Sequence, residues 1–325
     1  MKRRDLIRAC GLAIAMRAGL APAQAGRMRR IGYLGPTSAA GAVTRLAALR
    51  RGMRRLGYVE GRNLVIVTRF GGDSYTPLGA LAGELADLKV EVIVTHGTPG
   101  TRAAIEGGPA IPVVMAIAGD TVLGGLPAGL REAGGNVTGT MFFNSALAVD
   151  RLHLLRELLP GIRSVAALHN RTNPAMVPVR RALVQAAQAL KLELLLTGSI
   201  GPGEFPGAFA RMEGRRCEAL VVVEDAMLNT NLKTIADLAL ASRLPAIGQP
   251  EFAAVGGLLA YGVDLVAIFE RAAVFVDKIL RGASPQVLPV ERATRFEMIV
   301  NRRTARALGI AIPDSIASRA DQVIE

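Results

Sequence analysis

The sequence predicts an α/β protein built as two doubly wound parallel-sheet lobes joined by a hinge. Three observations carry this. Short β-branched and apolar runs alternate with amphipathic stretches of about 10–15 residues, the pattern of βαβ units. Several strand runs are apolar throughout, such as Val221, Val222 and Val223, which suits sheets covered on both faces. The alternation restarts near residue 146, and 325 residues is roughly a two-domain length. Two such lobes face each other across a cleft that closes by hinge motion, with ligands beyond the carboxyl ends of the strands.

The elements follow in order. A first strand over 30–34 stops at Gly35 and Pro36. A helix over 44–56 sets Leu46, Leu49, Met53 and Leu56 on one stripe, with Arg50, Arg51, Arg54 and Arg55 on a solvated face. Strands over 64–70, 90–95 and 112–117 alternate with helices over 78–88 and 98–106. A second series opens with a helix that closes at Pro160. Strands over 164–168, 192–197 and 219–223 then alternate with helices over 176–190, 205–212 and 232–241. Later strands over 258–261 and 296–300 flank a helix over 266–280.

Composition removes several classes. With 50% apolar and 20% charged residues the chain is not disordered. No run of eighteen apolar residues escapes a charge, so no membrane-spanning helix and no stable membrane insertion is expected. Two cysteines, Cys10 and Cys217, make neither a disulfide framework nor a zinc site. The formal charge of +12 favours anionic partners, yet aromatics are 4% and tryptophan is absent, so nucleic acid is not an expected partner.

Residues 1–25 read as an export leader, resembling the twin-arginine type, with general secretion as the open alternative. The start is basic, Arg3 and Arg4 form the pair, and Ala23-Gln24-Ala25 is a small-x-small cleavage site. Arg17 splits the apolar segment, an atypical feature. The expected location is the periplasm, where Cys217 would be left without an intramolecular partner.

Chemistry is otherwise sparse. The first strand runs into Gly35-Pro36-Thr37-Ser38 rather than a dinucleotide fingerprint, and neither a P-loop nor a nucleophile elbow occurs. No cofactor, metal or catalytic set is expected. The carboxylates Asp120, Glu224 and Asp225 follow strands, where they serve as ligand clamps or helix caps.

Several blocks, in order from about residue 30 to the end, resemble one group of ABC transporter substrate-binding proteins, related to tryptophan- and tyrosine-binding receptors. They are GYVEGRNL at 57–64, GGNVTG at 134–139, Asn170 with Asn173-Pro174-Ala175, LPAI at 244–247, VDKIL at 276–280, LPVE at 288–291 and RADQVIE at 319–325. The resemblance implies a type I periplasmic-binding fold, a small-molecule ligand between the lobes, and a permease as partner. It implies a first lobe of 30–143 plus about 262–285 and a second of 144–261 plus about 286–325. The chain should cross between lobes near 142–145, 256–264 and 281–290. The sequence departs from the family's pattern at Thr121, where proline is usual, at His169, where an aromatic residue is common, and at His96, where a small residue is common. Either both histidines line the cleft and change the ligand, or each is a loop-end histidine bonded to backbone.

Strand ends give the expected ligand-binding residues: Thr37, Ser38, Gly97, Thr98 and Asp120 in the first lobe, and His169, Asn170, Asp225 and Glu251 in the second. Thr98 and Thr121 open helices and would hold a carboxylate. Asp120 and Asp225 would accept from an ammonium group. The pairing describes a clamp for an amino acid or similar polar solute. Two other readings stand on sequence alone: the same fold serving a signalling partner, and an α/β enzyme using strand-end carboxylates.

Overall fold

A computed structural model of the chain describes residues 28–72, 74–119 and 135–325. The leader and Asp120 with its following loop, including Thr121, lie outside the described residues. In the first lobe, β1 (Arg29–Gly35), β2 (Leu64–Phe70), β3 (Val92–Thr95), β4 (Val113–Gly119) and β5 (Val137–Phe142) alternate with α1 (Val43–Arg55), α2 (Leu78–Asp87) and α3 (Gly97–Gly107). The second lobe opens with α4 (Asn144–Leu158), β6 (Ser164–Asn170), α5 (Met176–Ala189), β7 (Glu193–Ser199) and α6 (Phe205–Gly214). It continues through β8 (Ala219–Val222), α7 (Ala226–Thr230), α8 (Leu232–Ala241), β9 (Ala246–Gly248), α9 (Pro250–Ala254) and β10 (Leu259–Val263). Then come α10 (Leu265–Leu280), β11 (Glu291–Arg292), β12 (Phe296–Asn301), α11 (Arg302–Leu308), α12 (Asp314–Ala317) and β13 (Gln322–Ile324).

The strands form two sheets. One has the order β11-β5-β4-β3-β1-β2, the other β13-β12-β10-β9-β8-β6-β7. Pairing is parallel except between β10 and β12. Read from β2 and from β7, the two sheets share one winding: the first strand of each series is flanked by its second and third. That places a topological switch point between β1 and β3, and another between β6 and β8, where a crevice opens at the carboxyl ends.

Each sheet is covered on both faces. Ile31 and Tyr33 of β1 pack with Leu46, Leu49 and Met53 of α1 and with Phe269, Ala272 and Val276 of α10. On the opposite face, Leu34, Ile93 and Met115 meet Leu78, Ala82 and Leu85 of α2 and Ala104 and Ile105 of α3. In the second lobe, Val165, Ala167 and Val221 pack with Leu152 and Leu155 of α4 and Val179 and Leu183 of α5. Ala166, Leu168 and Val222 pack against Phe205 and Phe209 of α6 and Ile235 of α8. One glycine is structurally required: Gly139 has φ +130, and a Cβ there would stand 2.0 Å from the Met115 carbonyl oxygen, beside the register shift between Met115 and Ala118.

The chain passes from the first sheet to the second between β5 and α4, returns between β10 and α10, and passes again at 293–295. This third passage falls later than 281–290, because Glu291 and Arg292 pair with Thr140 and Met141 of β5 before the chain leaves. The passages lie side by side. Arg292 stacks over the Phe143 ring at 4.3 Å, and Arg295 lies 3.4 Å from Asp264. No helix among the described residues is long and apolar enough to cross a membrane.

Candidate functional site

The two switch points meet. Between the lobes lies a cavity lined by the ends of β3, β4 and β5 with the start of α3 on one side, and by the residues following β6, β8 and β9 on the other. Its free volume is about 50 Å³, room for a few waters. Ile117, Phe142, Val263 and Leu265 give it apolar walls beside the passages.

Asp225 is the centre of the second-lobe side. It is the N-cap of α7, accepting from the Met227 and Leu228 backbone N–H groups. Its carboxylate also accepts from Asn170 Nδ2 at 3.1 Å, Asn173 Nδ2 at 2.8 Å and the Tyr75 hydroxyl at 3.1 Å. Tyr75 belongs to the first lobe, so this last bond ties the lobes together; the Tyr75 hydroxyl in turn accepts from Met227 N–H. Burial pushes the Asp225 carboxyl upward, opposed by these hydrogen bonds. Burial, with the Asp225 charge next, pushes the Tyr75 phenol well above its usual value.

Beside it, Arg151 of α4 is 0% exposed. Its guanidinium donates to the carbonyls of Tyr261 (2.7 Å) and Val222 (3.0 Å) and pairs with Glu224 at 2.8 Å. Glu224 accepts from Asn229, and Asn229 accepts from Gln249. The side chain of Glu224 is therefore already answered by Arg151. Three second-lobe or passage oxygens are buried without a partner: Asn144 Oδ1, Gln249 Oε1 and Glu251 Oε2. Burial raises the Glu251 carboxyl, while the Arg45 charge opposes this.

On the first-lobe side stand Arg45 of α1 and His96, the residue before α3. Arg45 is 9% exposed; it donates to the Gly41 carbonyl at 2.9 Å, has no ion pair among the described residues, and leaves its Nε unbonded. Both ring nitrogens of His96 are buried and unbonded. Burial first, and then the charge of Arg45, hold His96 well below the usual imidazole range, so the ring is neutral.

The expected site residues divide. Gly97, Thr98 and Asp225 line the cavity. Gly97, not Thr98, begins α3, with φ +68 that suits glycine. Asn170 supports Asp225 and holds its own turn through Thr172. Glu251 lines a neighbouring recess with Gly41, Thr44 and Arg45. Thr37 is buried with its hydroxyl unbonded, and Ser38 accepts from the Gly41 N–H in the turn before α1. His169 does not reach the cavity. It shares the sheet face of Val165 and Ala167, because side chains alternate along β6, and the charges near it are Arg171 and Arg180. Asp225 is already occupied by protein donors, so it organises the site rather than waiting open for an ammonium group.

Sequence reading missed Arg45 and Arg151 as site residues, although a signal exists for both. Arg45 lies four residues before Leu49 and eight before Met53, on the apolar stripe of α1. Arg151 lies between Leu147 and Leu155 on that of α4. An arginine on a buried stripe needs built-in partners or a ligand. Among the described residues no cluster of His, Cys, Asp and Glu is arranged to hold a metal.

A two-lobed α/β protein with its polar groups gathered at an inter-lobe cavity is a solute-binding architecture. The family model for ABC transporter substrate binding proteins matches residues 37–324, and the chain belongs to that family. It is 25% identical over 254 residues to a tyrosine-binding protein of Clostridioides difficile (strain R20291), covering 78% of this chain and 72% of that one. Two solved structures share the fold. A conserved domain protein from Vibrio cholerae has TM-score 0.84 at 21% identity, with 91% of this chain and 100% of that chain covered. An ABC domain in complex with L-Trp from Streptococcus pneumonia has TM-score 0.80 at 23% identity, covering 90% and 100%.

Proposed function

We propose that this chain is the extracytoplasmic solute receptor of an ABC importer, closing its lobes on a small polar solute, an amino acid or similar, and delivering it unaltered to a permease. The carrying observation is the opposition of unmatched groups across the cavity. The first lobe presents Arg45 Nε and the His96 ring nitrogens without partners, while the Asn144 and Gln249 oxygens opposite lack donors. Each such buried group costs about 1–3 kcal/mol until matched. A solute with an anionic end and a donor end would match both sets at once. The names of the relatives, one tyrosine-binding and one holding L-Trp, support an amino-acid solute. The leader-like residues 1–25 support export to the periplasm. The carboxylates beside the cavity favour binding over turnover, since Glu224 is paired and Asp225 is saturated with donors.

The reading is tested by a thermal-shift screen of the purified protein against amino acids, small acids, nucleosides and sugars. A solute of the proposed class at 100 times its Kd should add about 2.7 kcal/mol to stability. Stabilisation by none of the amino acids or small acids would contradict the reading.

A further inference from the structure

We propose that Arg45 and His96, backed by Tyr33 and Thr37, form an oxyanion subsite that takes the carboxylate of the solute. This rests on the solute-receptor reading and deepens it, by making a carboxylate the feature the cleft requires.

The argument starts from four neighbouring side chains, each at least nine-tenths buried, that carry polar atoms with no partner. They are the Tyr33 hydroxyl, the Thr37 hydroxyl, Arg45 Nε and both nitrogens of His96. Arg45 and His96 face the cavity. Tyr33 lies behind His96, with ring centroids 6.4 Å apart, and Phe269 meets the other side of the imidazole at 5.6 Å. Thr37 lies by Gly41, whose carbonyl holds Arg45. Buried polar atoms are normally bonded, and four side chains with unmatched polar atoms in one place are unusual.

Their chemistry selects one kind of guest. Arg45 Nε is a donor only, the two hydroxyls can donate, and a neutral imidazole donates through one nitrogen. Arg45 is also a buried cation that forms no ion pair among the described residues, although the Glu251 carboxylate shares a neighbouring recess with it. A set of donors around an unpaired cation matches an acceptor-only anion, and a planar guanidinium suits a carboxylate. The start of α3 is the weaker alternative. Pro99 removes one of its first backbone donors, and its N-cap residue makes no side-chain bond.

The test compares acid and amide forms of one solute. L-tyrosine, L-tryptophan and L-leucine are titrated by calorimetry beside their α-carboxamides, with adenosine and ribose as neutral controls. The wild type should bind at least one acid about tenfold or more tighter than its amide. Arg45→Gln should bring the two forms within about twofold, whereas Arg54→Gln, on the exposed face of the same helix, should keep the acid preference. Arg45→Lys, which retains the charge without the fork, should restore part of it and shows that the fold tolerates change there. Equal binding of acid and amide by the wild type overturns the subsite, as does an acid preference that survives Arg45→Gln. Binding of a neutral control alone also overturns it while leaving solute capture standing. Binding by no compound counts against both.

Discussion

Replacing Arg151 with methionine is expected to lower the unfolding free energy by about 3–5 kcal/mol, the cost of breaking a buried ion pair from one side. The guanidinium is fully buried and answers three acceptors: the Tyr261 and Val222 carbonyls and the Glu224 carboxylate. Methionine fills much of the volume but leaves the Tyr261 and Val222 carbonyls without this donor and Glu224 without its countercharge. Adding Glu224→Gln to Arg151→Met should recover part of the loss, since the stranded charge is then gone. Urea denaturation of the three variants checks this. A loss below about 1 kcal/mol for Arg151→Met would show that water replaces the guanidinium.

The second large effect belongs to Asp225. Asp225→Ala removes the cap of α7, worth about 1 kcal/mol, and strands the amides of Asn170 and Asn173. It also removes the acceptor for the Tyr75 hydroxyl, the bond that joins the lobes. Solute affinity should fall by at least about 30-fold, because a closed state that has lost its inter-lobe bond needs more of the ligand's differential affinity to form. Tyr75→Phe isolates the bond between lobes: stability should change little, and affinity should drop by about three- to tenfold. Calorimetry reads both. Unchanged affinity in Asp225→Ala would reject its role in organising the site.

Much of the architecture was legible because parallel strands covered on both faces are apolar along their length. Val221 to Val223 and the β1 run announce themselves, and the helices between them show their stripes. The shortest strands were not legible. β9, β11 and β13 have two or three residues each, too few to show a period, and exist through pairing with neighbours. β5 carries Gly139 in its middle, which weakens the strand pattern at the position the bulge requires. The third passage was misplaced for the same reason, since β11 holds the chain on the first sheet for longer than its sequence suggests.

The site was half legible. Residues that follow strands could be named from the winding alone, and Gly97, Thr98 and Asp225 do line the cavity. His169 failed because it lies one residue before the end of β6, where alternation turns it into the sheet's other face. The charged residues that give the cavity its polarity come from helix stripes instead. Arg45 stands in a run with Arg50, Arg51, Arg54 and Arg55. Glu60 and Glu270 pair with Arg50, Arg51 and Arg55 on the surface, and that company hid the one that turns inward.

The central claim is that the inter-lobe cavity captures one solute and releases it chemically unchanged. It is tested most directly by incubating the protein with an equimolar amount of the solute that the screen selects. The protein is then separated from free solute and denatured, and the released compound is weighed by mass spectrometry. One molecule of unaltered solute per chain is the predicted result. A product of different mass, or no retained solute, would contradict it.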